Sequence, residues 1–233
     1  MRRQFPKGKS PGRICLPIVE TSVAKALRAI EEANRLADLI EIRVDYLRTP
    51  DLETLLEAGE KPLIVTNRRR EEGGRYRGDE KKRLAVLREA VDLGAAFVDL
   101  EVESERYFLK ELIANKKRTR LILSCHDFQG TPSPETMRNL LRRMMRYGAE
   151  VLKIVTFART FEDNLKVLSL IPYARERKRE IVAFCMGEKG KMSRIFAPLM
   201  GAAWTYASLD RKRTSAPGQL TVGDLKEIWE RLR

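Results

Sequence analysis

The 233-residue sequence has few of the residues that build metal sites or disulfide frameworks. It contains one histidine and three cysteines, and Cys15, Cys125 and Cys185 stand apart within apolar runs rather than at metal-binding spacing. This pattern predicts reduced core thiols in a cytoplasmic protein and argues against a zinc site. We therefore expect no metal.

Long apolar runs are also missing. No stretch reaches the ~18 residues that are needed to cross a bilayer, so no membrane association is expected. The basic segment 1–12 lacks the apolar core of a secretory signal, and we predict that it forms an N-terminal arm. Residues 13–233 have the length of one β/α barrel and are predicted to form one catalytic domain.

Acidic residues are outnumbered by basic ones. The sequence has 46 Lys and Arg against 33 Asp and Glu, a formal net charge of +13, which suits either a polyanion or an anionic metabolite. Arg138, Arg142 and Arg146 recur at helical spacing and could follow phosphates, but neither interleaved aromatic residues nor a binding motif accompanies them. We therefore expect no nucleic-acid partner.

Strand-like runs alternate with helical patterns along most of the sequence. Such alternation predicts parallel strands joined by helical crossovers. The eight predicted strands are RICLPIV from Arg13, LIEIRVD from Leu39, PLIVTNR from Pro62, FVDLEV from Phe97, RLILSCHD from Arg120, VLKIVTF from Val151, IVAFCMG from Ile181 and WTYASLD from Trp204. Eight such units predict a closed (β/α)8 TIM barrel. The alternative, an open doubly wound sheet, lacks its G-x-G-x-x-G fingerprint here.

A recurring glycine supports the barrel. A helix-ending glycine followed by alanine recurs at Gly94, Gly148 and Gly201, where 148 − 94 = 54 and 201 − 148 = 53. This period matches two βα units.

Several predicted strands contain charges where buried parallel strands are normally apolar. Alternation in LIEIRVD leaves Glu41, Arg43 and Asp45 facing the barrel interior, and FVDLEV places Asp99 and Glu101 on one face. These residues either neutralise one another as ion pairs that fix the core or belong to an active site. Active sites of this fold lie at the carboxyl ends of the strands, which favours the second interpretation.

Lys153 lies in the middle of VLKIVTF with apolar neighbours on both sides. Complete burial disfavours the ammonium form of a lysine, and a neutral amine attacks ketones and aldehydes. We therefore predict a nucleophile. The competing interpretation pairs Lys153 with Glu41, Asp99 or Glu101, which would hold it charged.

His126, the single histidine, ends RLILSCHD, where alternation places it on one face with Ile122 and Ser124. A lone histidine often only fills a core, but this one ends the strand that precedes the strand of Lys153. This position predicts a general acid and base. Glu72, in the REEGG turn after the third strand, is a candidate to orient its ring.

Six motifs run in order through the chain: EIRVD at 41–45, TNRRREEGG at 66–74, SCHDF at 124–128, the strand lysine Lys153, CMGEKGKMSR at 185–194 and SAPGQ at 215–219. Together they resemble the type I 3-dehydroquinate dehydratases, the Schiff-base enzymes of the shikimate pathway. The resemblance implies a β/α barrel, usually dimeric, that converts 3-dehydroquinate to 3-dehydroshikimate without metal or organic cofactor.

The resemblance also implies a role for each matched residue. Lys153 would form an imine with the C3 ketone, His126 would remove the C2 proton and assist departure of the C1 hydroxyl, and Glu72 would orient His126. The implied substrate-binding residues are Glu41, Arg43 and Arg68 for the ring hydroxyls, Arg194 for the carboxylate, Met186 as an apolar wall, and Ser215 and Gln219 as lid residues.

Two questions stay open at this point. The arginine-rich turn leaves unsettled whether Arg69, Arg70, Arg75 or Arg77 contacts the substrate. Another lysine-dependent barrel lyase or aldolase, for instance one acting on a sugar phosphate, is the alternative function. The GEKG sequence after the seventh strand could suit a phosphate, but Arg194 and SAPGQ fit a carboxylated ring better.

Overall fold

The structure, a computed structural model, describes residues 12–232 and contains eight parallel strands alternating with helices. The strands are β1 (Ile14–Ile18), β2 (Leu39–Arg43), β3 (Leu63–Thr66), β4 (Phe97–Glu101), β5 (Arg120–Asp127), β6 (Val151–Phe157), β7 (Glu180–Met186) and β8 (Thr205–Tyr206). The α-helices are α1 (Val23–Leu36), α2 (Leu52–Glu57), α3 (Glu80–Asp92), α4 (Arg106–Asn115), α5 (Pro134–Arg146), α6 (Glu162–Leu168), α7 (Leu170–Glu176), α8 (Lys191–Leu199) and α9 (Val222–Arg231). The predicted N-terminal arm, apart from Gly12, lies outside the described residues and stays a prediction.

The eight strands form a nearly closed barrel, which confirms the predicted fold. Their order is β7-β6-β5-β4-β3-β2-β1-β8, and every ladder is parallel. The β1–β8 ladder pairs Ile14 with Thr205 and Cys15 with Tyr206. At the remaining gap, the backbone N–H of Ala203 donates to the carbonyl oxygen of Ile181 at 2.8 Å.

Alternation along the strands separates two apolar layers. Ile40 and Ile42 belong to the layer between strands and helices, whereas Leu39 lies in the barrel interior. The interior layer is completed by Cys15, Ile64, Phe97, Ile122, Val151, Val155, Val182, Phe184, Met186, Trp204 and Tyr206. The inward-facing positions that follow Leu39 are Glu41 and Arg43, so the interior changes from apolar to charged toward the carboxyl ends of the strands.

Glycines and caps explain where the helices stop and start. Gly94, Gly148 and Gly201 have φ of 81°, 83° and 97°, a region that side chains disfavour, and each precedes a strand. Thr221 opens α9 with a capping box in which its side chain accepts from the backbone N–H of Asp224. The recurring glycine is thus the helix terminator of every second unit.

Five predicted strands are longer than those observed, the third and the eighth by the most. The third ends at Thr66, so Arg68 belongs to the following loop, and the eighth contains only Thr205–Tyr206. The chain leaves the ladder after Thr66, where β2 also ends, and the Arg68 guanidinium pairs with acids on β4. Within residues 12–232, no helix has the length and apolar character that a membrane span requires.

Candidate active site

A cavity lies at the carboxyl ends of the barrel strands. Nine of the ten predicted site residues line it: Glu41, Arg43, Arg68, Glu72, His126, Lys153, Met186, Arg194 and Ser215. The tenth, Gln219, does not line the cavity and contacts Ser215 instead. The remaining lining residues are Gly73, Phe128, Val155, Phe184, Tyr206 and Ala216.

Lys153 lies at the centre of this cavity with its side chain 5% exposed. Its Nζ donates to Asp99 Oδ2 at 2.8 Å, to the Tyr206 hydroxyl at 3.1 Å and to Glu41 Oε1 at 3.5 Å. Lys153 is therefore paired with carboxylates in the structure. This pairing is the interpretation that competes with a free neutral amine. Glu101, the third acid considered as a partner, does not contact Lys153 and instead accepts from two arginines.

Arg68 connects the acids on β4. Its guanidinium lies 2.8 Å from Asp99 Oδ2 and 2.9 Å from Glu101 Oε1, and it donates to Ser124 Oγ at 2.7 Å. Burial opposes its charge, but Asp99 and Glu101 raise the pKa of Arg68 well above its ordinary value. Burial likewise opposes ionisation of Asp99, but Arg68 and Lys153 hold the pKa of that carboxyl well below its ordinary value. The result is a buried network of compensated charges.

His126 and Glu72 form the predicted pair. Glu72 Oε2 accepts from the backbone N–H of His126 at 2.8 Å and lies 3.0 Å from ring Nδ1. Burial raises the pKa of Glu72 to about 7, with Arg68 opposing and Glu101 reinforcing the shift. Burial, together with the positive charges of Arg68 and Lys153, lowers the pKa of His126 well below its ordinary value. The neutral imidazole is therefore favoured, and a Glu72 carboxylate would fix its proton on Nδ1 and leave Nε2 free to accept one.

The EIRVD motif supplies both a cavity residue and its support. Arg43 donates from two nitrogens to the two oxygens of Asp45, each at 2.8 Å. Asp45 also accepts from the backbone N–H groups of Arg68 and Arg75, at 3.4 and 3.0 Å. Asp45 therefore orients Arg43 and ties the loop after β3 to β2. Glu41, on the same motif, accepts from Thr66 Oγ1 at 2.8 Å.

Arg194, on α8, is buried among groups that do not neutralise it. Its Nη2 donates to the carbonyl oxygen of Pro217 at 3.4 Å, its guanidinium carbon lies 4.3 Å from the centre of the Phe184 ring, and its Nε has no hydrogen-bond partner among the described residues. Burial lowers the pKa of Arg194 to about 10. At neutral pH it is thus a desolvated cation at the cavity wall that lacks a carboxylate partner within residues 12–232.

The SAPGQ loop lies against the end of β7. Gln219 Oε1 accepts from the backbone N–H of Ser215 at 2.8 Å and from its hydroxyl at 3.2 Å. A Cβ at Gly218 would come within 2.2 Å of the carbonyl oxygen of Gly187, so this close backbone approach requires glycine. Gln219 therefore shapes the loop that carries Ser215 into the cavity.

None of the four arginines left open by the sequence lines the cavity. Arg69 pairs with Glu71 at 3.0 Å, and the guanidinium carbon of Arg75 lies 4.3 Å from the centre of the Tyr46 ring. No cluster of three or more side chains suited to a metal ion occurs in the described part of the chain.

Sequence reasoning missed two residues of this network. Tyr206, on β8, faces the barrel interior together with Trp204 two residues earlier, a parity that the predicted strand WTYASLD could have revealed. Arg83, on α3, is 1% exposed and donates to Glu101 Oε2 at 2.9 Å. Helical spacing places Arg83 on the buried face of α3 with Leu87 and Ala90, but the local pattern does not reveal its partner Glu101.

The barrel and the charged cavity at its carboxyl end define the class: a β/α-barrel enzyme. The model of the type I 3-dehydroquinase family matches residues 14–232. The chain belongs to this family, and the resemblance drawn from the six motifs is confirmed.

Individual relatives agree with the family assignment. A 3-dehydroquinate dehydratase of Methanocaldococcus jannaschii is 37% identical over 220 residues, covering 93% of this chain and 97% of the relative. One from Syntrophobacter fumaroxidans is 40% identical over 226 residues, with 93% and 95% covered. The crystal structure of the enzyme from Geobacillus kaustophilus HTA426 has a TM-score of 0.87 at 30% identity, with 95% and 91% covered. The prediction of a carbon–oxygen hydro-lyase of the 3-dehydroquinate dehydratase type, acting in the shikimate pathway, is confirmed.

Proposed function

We propose that this chain dehydrates 3-dehydroquinate to 3-dehydroshikimate through an imine on Lys153, without metal or organic cofactor. The observation that carries the proposal is that one buried cavity holds the Lys153 amine, a histidine tied to Glu72, and the unneutralised Arg194. The family assignment supplies the ring substrate, which carries both a ketone and a carboxylate.

Imine formation makes the C2 proton removable. After Lys153 loses a proton and adds to the C3 carbonyl, water leaves and a protonated C=N bond remains. His126 then takes the C2 proton, and the electron pair of that C–H bond moves toward the cationic nitrogen to give an enamine. The pair returns to expel the C1 hydroxyl, which leaves as water with the proton from His126. Hydrolysis of the imine releases the product and restores Lys153.

The other cavity residues are assigned by the group that each can bind. Arg194 is the proposed partner of the substrate carboxylate, because a carboxylate would supply the charge and the acceptors that its guanidinium lacks. Glu41, Arg43 and Arg68 are proposed to bind ring hydroxyls, and Met186 to contact the apolar face of the ring. Ser215 and Gln219 are proposed to close the lid, with Gln219 acting through Ser215.

The imine can be trapped directly. Enzyme mixed with 3-dehydroquinate and reduced with borohydride should carry a stable adduct on Lys153 after digestion and mass spectrometry. Lys166, a partly exposed lysine on α6, is an internal control that should stay unmodified, and Lys153→Met should give no adduct and no turnover. Active enzyme without an adduct on Lys153 would contradict the lysine mechanism and reopen other dehydration chemistry on this cavity.

The same experiment distinguishes the alternative of another lysine-dependent barrel lyase or aldolase. Such an enzyme would be trapped by a sugar phosphate carbonyl and would leave 3-dehydroquinate unchanged. Arg194 argues against this alternative, since its planar guanidinium lines the cavity and suits a planar carboxylate.

We also propose that the enzyme is a cytoplasmic homodimer. Cys15 and Cys185 are buried free thiols, and Cys125 is a partly exposed one, a pattern that suits a reducing compartment. The dimer rests on the family resemblance. Light scattering should give the mass of two chains at micromolar concentration, and a single-chain mass would contradict it.

A further inference from the structure

Tyr206 places a phenol hydroxyl beside the reacting amine. The residue is 4% exposed and lines the cavity, with its hydroxyl oxygen 3.1 Å from Lys153 Nζ and its ring centre 4.5 Å from the same atom. Its position is fixed by the barrel, because its strand, β8, pairs with β1 at Cys15. Tyr206 is thus held against Lys153 by the sheet rather than by a loop.

Tyr206 differs chemically from the other partners of Lys153. An ammonium has three N–H bonds, and Asp99, Glu41 and Tyr206 provide three acceptors within 3.5 Å. The two carboxylates, when ionised, can only accept a hydrogen bond, whereas a phenol can also donate one. Tyr206 can therefore reverse its role when Lys153 loses N–H bonds during imine formation.

The hydroxyl keeps its proton at the pH at which the enzyme works. Burial raises the pKa of Tyr206 well above its ordinary value, and the nearby negative charge of Glu41 adds to that shift. The phenol is therefore a permanent donor.

We propose that Tyr206 donates a hydrogen bond to the carbinolamine oxygen at C3, during both formation and hydrolysis of the Lys153 imine. This inference rests on the proposed imine mechanism. The oxygen that leaves as water is two bonds from Nζ, and the phenol lies 3.1 Å from Nζ, which places the two in mutual reach. Tyr206 also lines the same cavity as Ser215 and Ala216 of the SAPGQ loop.

The proton balance closes without a net change at Tyr206. Lys153 begins as an ammonium and gives one proton to His126, and the amine then adds to the carbonyl carbon while the C=O π pair moves to oxygen. The nitrogen loses a second proton as the oxygen gains one, which gives a neutral carbinolamine. The C–O bond then breaks with its electron pair, the oxygen takes the proton from His126, and water departs from the protonated imine. The Tyr206 hydrogen bond stabilises the charge on oxygen in both proton-transfer stages.

Tyr206→Phe tests this role with minimal disturbance of packing, since it removes one oxygen and keeps the ring. Tyr107→Phe is the matched control, because Tyr107 lies on α4 and is 79% exposed. Both variants and the parent are mixed with 3-dehydroquinate in a single-turnover format and quenched with borohydride over time. The measured quantities are the rate of Lys153 adduct formation, kcat, KM and the kinetic isotope effect with substrate deuterated at C2.

We expect Tyr206→Phe to slow adduct formation and kcat roughly tenfold, the effect of one lost hydrogen bond in a dry site, while KM changes much less. Imine formation then limits turnover, so the C2 isotope effect on kcat falls toward one. A merely structural role would not lower that isotope effect. Tyr107→Phe should match the parent, and equal thermal melting of all three proteins excludes a folding defect.

The outcomes separate the two proposals. An adduct that forms on Lys153 at the parental rate in Tyr206→Phe, with an unchanged isotope effect, overturns the role of Tyr206 and leaves the imine mechanism standing. Slow adduct formation with a reduced isotope effect supports the role. Active parent enzyme that gives no adduct overturns the imine mechanism, and the role of Tyr206 falls with it.

Discussion

Arg68 and Arg194 line the same cavity from distant parts of the barrel, and both are almost fully buried, yet their surroundings are opposite. Arg68 is neutralised by Asp99 and Glu101, which raise its pKa. Arg194 faces a backbone carbonyl and the ring of Phe184, and its pKa falls to about 10. One side of the cavity is therefore neutralised by the protein's own carboxylates, whereas the other presents a cation without a carboxylate partner among residues 12–232.

The comparison shows how a single cavity divides its functions. A compensated network is rigid and holds Lys153 in place, because each member is fixed by several partners. A buried cation without a carboxylate partner lowers the folding stability of the free protein, and binding of a carboxylate restores that stability. Three substitutions test this division.

The largest expected effect is on folding, from Arg68→Met. Removing the guanidinium leaves the buried carboxyls of Asp99 and Glu101 without their main cation, so we expect the free energy of unfolding to fall by about 3–5 kcal/mol. Urea denaturation measures this loss. Arg142→Met, at an exposed ion pair with Glu135, is the matched control and should leave the free energy of unfolding nearly unchanged. Equal stability of the two variants would contradict the compensated network.

Arg194→Met should give the reverse pattern. Folding stability should stay level or rise, because the substitution removes a buried cation that lacks a partner. Affinity for 3-dehydroquinate should fall by roughly a hundredfold, the value of about 2–3 kcal/mol for charge-assisted hydrogen bonds to a carboxylate. Steady-state kinetics and urea denaturation on one preparation separate the two effects. A loss of stability comparable to that of Arg68→Met would show that Arg194 belongs to the framework.

The smallest expected effect concerns pH. Glu72 has a pKa of about 7, raised chiefly by burial, so it loses its proton as pH rises through neutrality. Its carboxylate then accepts from Nδ1 of His126 and leaves Nε2 as the base, so kcat/KM should rise through pH 7. Glu72→Gln should abolish this rise of kcat/KM and lower kcat/KM about tenfold at pH 8. If the rise through pH 7 persists in the variant, the titrating group is not Glu72.

Folding stability should respond to the same group in the opposite sense. Because the folded state of Glu72 binds a proton more tightly than the unfolded chain, its contribution weakens as pH rises from about 4.5 to about 7. Comparing the free energy of unfolding of the parent and of Glu72→Gln across this pH range isolates the contribution of Glu72.

Much of this arrangement follows from period-two patterns in the sequence. Alternation in LIEIRVD and FVDLEV places Glu41, Arg43 and Asp99 inside the barrel, because a strand cannot present neighbouring side chains to the same face. The eight strands and the glycines between units follow from the same local rules. Local rules also place Lys153 and His126 on adjacent inward faces, where the β5–β6 ladder joins their strands.

The remainder depends on tertiary contacts that local patterns do not encode. Arg83 lies on the buried face of α3, but its hydrogen bond to Glu101 depends on how that helix packs against the end of β4. Gln219 was predicted to be a lid residue, and that stays a prediction; its hydrogen bonds to Ser215 depend on the turn of the loop, which no local pattern encodes. The pairing of Lys153 with Asp99 rather than Glu101 likewise depends on where Arg68 lies.

The short β1–β8 ladder has a consequence for the order of folding. It pairs Ile14 with Thr205, residues 205 − 14 = 191 positions apart, through a strand of only two residues. The other ladders join neighbours in sequence, so closing this one costs the most chain entropy and returns the fewest hydrogen bonds. We therefore expect ring closure to be a late event in folding. Because the SAPGQ loop follows β8 and contacts Arg194, we expect the ability to bind substrate to be acquired with it.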